Sequence, residues 1–211
     1  MPPSLMDNRE DRCTHVQSTP ADLSDREPLF HVASTTEFWY RSHRVGNSPI
    51  YFGKSQTHRW DSPDGDFGVL YLGGDEYSAF MESIGRGALK TRFIPSSQLK
   101  GTALAKIRFK EPLRLIDMVT SGGLTRLGTE SSLASGSGYK NSQRWSLALR
   151  RHPSKPDGIY YRSRHDPART ACALFDRCAH SVVVAEALGA WADQPALLGE
   201  ILDHYAFGTD L

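Results

Sequence analysis

The chain has 211 residues, a formal net charge of +1, and 39% hydrophobic against 23% charged residues. That is enough for one ordinary domain with its own core. A near-neutral charge excludes a global pull onto nucleic acid or an anionic membrane, and no apolar run approaches the roughly 20 residues of a membrane span. The start of the chain lacks an apolar segment of signal-peptide length. Cys13, Cys172 and Cys178 form an odd, sparse set that reads as reduced thiols. The expectation is a cytoplasmic protein with no membrane and no direct nucleic-acid contact.

In chain order, residues 1–30 read as a polar N-terminal tail or extension, acidic on balance, and 31–211 as the domain. "EFWYRSHR" (37–44) predicts a strand from its aromatic content. "GVLYLG" (68–73) predicts a short buried strand closed by Gly73 and Gly74. "DEYSAFMESI" (75–84) predicts a helix capped by Asp75, with Tyr77, Phe80, Met81 and Ile84 on one face. Residues 102–118 alternate around Pro112 and predict two short strands. Residues 120–141 are rich in Gly and Ser and predict a long loop with a helical turn, and 142–152 predicts a helix. "GIYYRS" and "ACALF" (171–175) predict strands. Residues 185–207 predict one or two C-terminal helices broken near Pro195. Strands and helices mix without regular βα alternation. The predicted fold is a single α+β domain, with small bent mixed or antiparallel sheets flanked by helices.

Eight Lys and Arg residues between 144 and 177 face only Asp157, Asp166 and Asp176. That local excess suggests a pocket for a small anion, or a solvated surface with ion pairs. Phosphate-loop and dinucleotide fingerprints fail on spacing: "GRGALKT" has no Gly before its Lys, and "GGLTRLG" has no G-x-G-x-x-G. The histidines form no metal-ligand pair. Arg41, Arg59, Tyr71, Glu82 and Ser163 remain as candidate site residues. Glu82 stands late in its helix, where the helix dipole disfavours a carboxylate.

The blocks "FWYRSHR", "HRWDSPDGDFGVLYLGGDEYSAFMES", "QRWSLAL" and "DGIYYRSRHDPARTACALF" resemble, in order and spacing over residues 37–177, the RES domain, found in toxins of RES–Xre toxin–antitoxin pairs. On that resemblance Arg59 matches the arginine of "RW", Glu82 the glutamate and Ser163 the serine of "YxSR". Arg41 matches the earlier arginine and Tyr71 the strand tyrosine. His58 and Asp61 stand where the family often has Gly and Asn, and Ser42 where some members have Tyr.

The resemblance implies an ADP-ribosyltransferase-like fold and an enzyme that consumes NAD+ as substrate, with no retained cofactor and no metal. It implies a toxin that cleaves the nicotinamide–ribose bond by hydrolysis or phosphorolysis. The alternatives are a protein mono-ADP-ribosyltransferase and a catalytically silent binding module. The implied partners are NAD+, an Xre-like helix-turn-helix antitoxin, and inorganic phosphate or a protein acceptor. Glu82 would stabilise positive charge on the ribose. Arg41 and Arg59 would bind the two phosphates. Tyr71, with Tyr161 or Trp60 in reserve, would stack on nicotinamide. Ser163 would hold a phosphate or the carboxamide.

Overall fold

The computed structural model describes residues 18–136 and 138–211. The first part of the expected tail, 1–17, lies outside the described residues. Residues 20–26 pack on the domain: Leu23 is buried in the core, and the His152 ring Nε2 donates to the Leu23 and Arg26 carbonyls at 3.1 and 3.2 Å.

The elements follow in chain order. Strands β1 (Phe30–Ala33), β2 (Trp39–Arg44) and β3 (Val69–Gly73) lead into helix α1 (Glu76–Phe80). A π-helical turn, Met81–Gly85, joins α1 to the short α2 (Arg86–Ala88). Then come β4 (Phe93–Ile94), α3 (Ser96–Gly101), β5 (Thr102–Phe109) and β6 (Leu113–Asp117). The Gly/Ser-rich stretch holds α4 (Gly123–Leu127) and α5 (Ser132–Ser135), followed by α6 (Tyr139–Arg150). The chain closes with β7 (Gly158–Arg162), β8 (Thr170–Phe175), β9 (Val182–Ala190), α7 (Pro195–Tyr205) and β10 (Gly208–Thr209).

Eight strands form one mixed sheet in the order β1-β6-β7-β8-β3-β2-β5-β9, and β10 pairs with β4 in a small parallel ribbon. Within the large sheet only β6 and β7 run parallel. The α+β expectation holds. Strand side chains alternate between faces. Val69, Ala173 and Phe175 pack with Trp60 and Trp145 on one face, while Leu70, Leu72, Cys172 and Leu174 pack with Ile107 and Phe109 on the other. Both faces of the central strands are therefore buried, and they read as continuous apolar runs. A third cluster joins Phe80, Met81 and Ile84 to Trp191, Leu198 and Ile201.

One expectation is overturned. Residues 185–190 are not helical but belong to β9, which pairs with β5 through two irregularities of register. Ala, Leu and Glu favour a helix locally, but the open edge of β5 offers a full ladder of backbone partners that outweighs this weak preference. Pro195 does not break a helix; it opens α7 at the first turn, where its missing N–H costs nothing.

Candidate active site

The site lies where the sheet comes apart. Strand β2 pairs with β5 along its whole length but meets β3 at a single pair, Tyr40 with Gly73. Gly73 sits at this crossing because a Cβ there would stand 2.5 Å from the Ala79 nitrogen; any larger residue would push α1 off the strand. Beyond the pair, the strands splay and leave a cleft of about 260 Å³. Arg41, on β2, spans the seam: its Nη1 donates to the Tyr71 carbonyl on β3 at 2.7 Å. Its Nε is buried with no partner among the described residues. Burial lowers its pKa, yet a guanidinium stays charged. A buried cation with an unused donor beside a cleft is suited to an anion.

Glu82 enters from the helical side. Asp75 caps α1, its Oδ1 accepting from the Ser78 nitrogen at 2.7 Å, and Phe80, Met81 and Ile84 anchor the buried face. Glu82 lies in the π-helical turn that follows, a local widening common at functional sites. Its carboxylate lines the cleft. Ser163, buried to 1% exposure, donates from Oγ to Glu82 Oε1 at 2.5 Å. Ser163 itself does not line the cleft. Its hydroxyl is turned to the Glu82 carboxylate.

Arg59 and Tyr71 also line the cleft, but most of their polar atoms are engaged. Arg59 donates to the Leu133 and Gly136 carbonyls at 3.2 and 2.8 Å and to Ser142 Oγ at 3.4 Å, and sits 5.0 Å from the Tyr139 ring centre. It ties Leu133, Gly136 and Ser142 to the cleft wall. The Tyr71 hydroxyl donates to Asp61 Oδ1 and accepts from the Trp60 nitrogen, both at 2.9 Å. Burial first, and the Asp61 charge second, hold its pKa well above the ordinary value, so the hydroxyl keeps its proton. Its ring remains against the cleft. Of the two aromatic reserves, Tyr161 lines the cleft, whereas Trp60 is fully buried in the core and does not.

Several residues were missed as site residues. Asp61, 1% exposed, takes four donors: Tyr71 Oη on Oδ1, and Ser55 Oγ, Thr57 N and His58 N on Oδ2 at 3.0–3.1 Å. It folds the 55–61 loop into the cleft wall. Arg86, Tyr139, Arg164, His58 and His165 also line the cleft. A signal existed for some of them: Arg86 follows Glu82 by four residues, and Arg164 and His165 directly follow Ser163. Burial lowers the pKa of both His58 and His165, which favours the neutral imidazole. Tyr139 carried no such signal.

The cleft thus gathers four guanidiniums, a positioned carboxylate and several tyrosine rings around one space. Comparison with known proteins agrees. The RES domain family model matches residues 38–195. A protein named "Probable toxin y4kH", from Sinorhizobium fredii, is 32% identical over 111 residues, which cover 52% of this chain and 84% of that relative. The fold resembles that in the crystal structure of the M. tuberculosis MbcT–MbcA toxin–antitoxin complex, with a TM-score of 0.64 over 87% of this chain and 98% of that one. At 16% identity this likeness speaks to the fold alone. The family match spans three quarters of the chain and includes Arg41, Arg59, Tyr71, Glu82 and Ser163, and this chain belongs to the RES domain family.

Proposed function

We propose that this protein is an NAD+-consuming enzyme that cleaves the bond between nicotinamide and ribose, and that it acts as the toxin of a toxin–antitoxin pair. The observation that carries the reading is Glu82: a carboxylate held at one oxygen by buried Ser163, in a cleft lined by Arg41, Arg59, Arg86 and Arg164. A dinucleotide brings two phosphates and a ribosyl cation in the making, and needs both kinds of charge in one place.

As the C–N bond breaks, nicotinamide leaves as a neutral molecule with the bonding pair, and positive charge develops on the ribose. The fixed negative charge of Glu82 stabilises that state more than the ground state. Ser163 holds Oε1, so the carboxylate spends no entropy finding its rotamer when the charge appears. Arg41, a guanidinium that lines the cleft, holds a phosphate. An acceptor oxygen then bonds to the anomeric carbon and releases a proton, which neutral His165 at the cleft wall can take. With water the product is ADP-ribose; with inorganic phosphate it is the ribosyl phosphate. NAD+ is substrate throughout.

A second copy of the same chemistry, transfer to a protein side chain, differs only in the acceptor. A silent binding module has no use for a carboxylate positioned by a buried hydroxyl. The solved neighbour is a toxin bound to its antitoxin, which supports a protein antitoxin as the partner here. The test is release of nicotinamide from NAD+ by the pure protein, with and without phosphate, beside labelled-NAD+ transfer to lysate protein. Release without labelled protein supports glycosidic cleavage; labelled protein shifts the reading to ADP-ribosyltransfer; neither product overturns it.

A further inference from the structure

The family match ends at residue 195, the first residue of α7, yet the far end of α7 reaches back to the site. Tyr205, its last residue, donates from Oη to Asp166 Oδ2 at 2.7 Å. The same Oδ2 accepts from Arg169 Nε at 3.1 Å. Arg169 extends its other arm, Nη1, to Asp75 Oδ2. Asp75 is the cap of α1, the helix that leads to Glu82. The Asp166 nitrogen approaches Ser163 Oγ at 3.4 Å, and the Ser163 nitrogen donates to the Arg169 carbonyl at 3.0 Å. One guanidinium therefore grips both sides of the Ser163–Glu82 contact: the loop that carries the serine and the cap of the helix that carries the glutamate.

We infer that Tyr205, through Asp166 and Arg169, is a positioning residue for Glu82, and that the C-terminal helix outside the family match is part of the active-site scaffold. The inference rests on the function proposed above. Arg169 alone could swing between two carboxylates. The Tyr205 hydroxyl fixes Asp166, and with it the geometry of the fork. The 2.5 Å contact between Ser163 and Glu82 lies at the short end of its range, and a shift of the loop by about 1 Å takes it out of hydrogen-bonding reach.

Tyr205→Phe removes the hydroxyl and keeps the ring packed against Tyr77 and Phe207. For nicotinamide release, kcat is expected to fall about five- to tenfold with KM changed less than about twofold, because only the carboxylate's placement is disturbed. In a Ser163→Ala background, the same substitution is expected to have no further effect on kcat, since the two residues act through one contact. Exposed Asp203 on the same helix serves as control: Asp203→Asn is expected to leave kcat unchanged. Asp166→Asn carries the same test if Tyr205→Phe does not fold. Wild-type kcat in Tyr205→Phe overturns the inference, and so does an equal loss in both backgrounds, which would mark general loosening. Wild-type protein that leaves NAD+ intact overturns the proposed function itself, and the inference with it.

Discussion

Two regions of this molecule are rich in arginine, and they use it differently. The stretch 144–177 holds most of the local basic excess, and Arg150, Arg151 and Arg177 line a shallow surface groove with His152 and Lys155. There the charge is answered: Arg150 pairs with Asp176 at 2.9 Å, Arg151 with Asp66 at 3.7 Å, and Arg177 donates to the Arg150 carbonyl at 2.5 Å. In the cleft, Arg41, Arg59, Arg86 and Arg164 come from four separate parts of the chain. Among the described residues none of them has a carboxylate within 4.0 Å. Charge already held in an ion pair leaves little field for a ligand, whereas the Arg41 and Arg59 guanidiniums, removed from water with no carboxylate beside them, leave more. A basic run in one stretch of chain was the weaker guide to an anion site. Arg164 is the one lining arginine that the two regions share.

The comparison can be broken from several directions. The largest expected effect is in the cleft and comes from one charge. Glu82→Gln keeps the size of the side chain and its hydrogen bond but loses the charge, and kcat for nicotinamide release is expected to drop by about 10²–10³ with KM little altered. Unaltered kcat would remove Glu82 from the mechanism. Next comes Ser163→Ala. A hydrogen bond to a charged group is lost behind the carboxylate, and kcat is expected to fall by about 10–100-fold while NAD+ binding holds. A rise in KM alone would instead put Ser163 on the ligand.

The arginines sharpen the contrast directly. Arg41→Ala is expected to raise KM about tenfold, as one charge-assisted phosphate contact disappears. Arg150→Ala, in the ion-paired groove, is expected to change KM by less than about twofold. Equal effects would erase the distinction between the two regions. Arg59→Ala behaves differently again. It takes the Arg59 donor from the Gly136 carbonyl, while the Leu133 carbonyl keeps Ser142 Oγ at 2.8 Å, so a loss of about 1–3 kcal/mol in stability, read as a lower Tm, is expected beside any rise in KM.

The smallest effect is on pH. Burial lowers the pKa of His43, His58 and His165 in the fold below the ordinary 6.5. The unfolded chain then binds protons first as pH falls, so stability present above about pH 6.5 is lost on the way down through the folded values. Asp117 and Asp176 have pKa values lowered from 3.8 and act only in more acidic solution. Tm is expected to decline from pH 6.5 towards 5, and His58→Gln with His165→Gln to flatten that slope. A double variant with the same slope would assign the decline elsewhere.

Much of the fold was legible because local rules and tertiary structure agree. The apolar runs at 69–73 and 170–175 are central strands, and Asp75 caps the helix that the 3.6-residue pattern announced. Segment 185–190 was misread because its composition favours a helix while its partner strand, β5, lies about 80 residues earlier in the chain. All five candidate residues converge on one region, but only part of their roles was legible. Arg59 spends its donors on groups 74–83 residues away, and Ser163 meets Glu82 across 81 residues. Residue type announces what a side chain can bind; which neighbour reaches it first is decided by the fold. Tyr205 carried no signal at all, since the carboxylate its hydroxyl meets lies 39 residues away in the chain.

The measurement that tests the central claim most directly is a crystal structure of the Glu82→Gln protein soaked with NAD+, in which slowed cleavage preserves the substrate. The account predicts an intact dinucleotide in the cleft at the β2–β3 seam, its diphosphate against the Arg41 guanidinium and its nicotinamide ribose beside residue 82. A cleft left empty, or a diphosphate held instead by the groove of Arg150, Arg151 and Arg177, would contradict it.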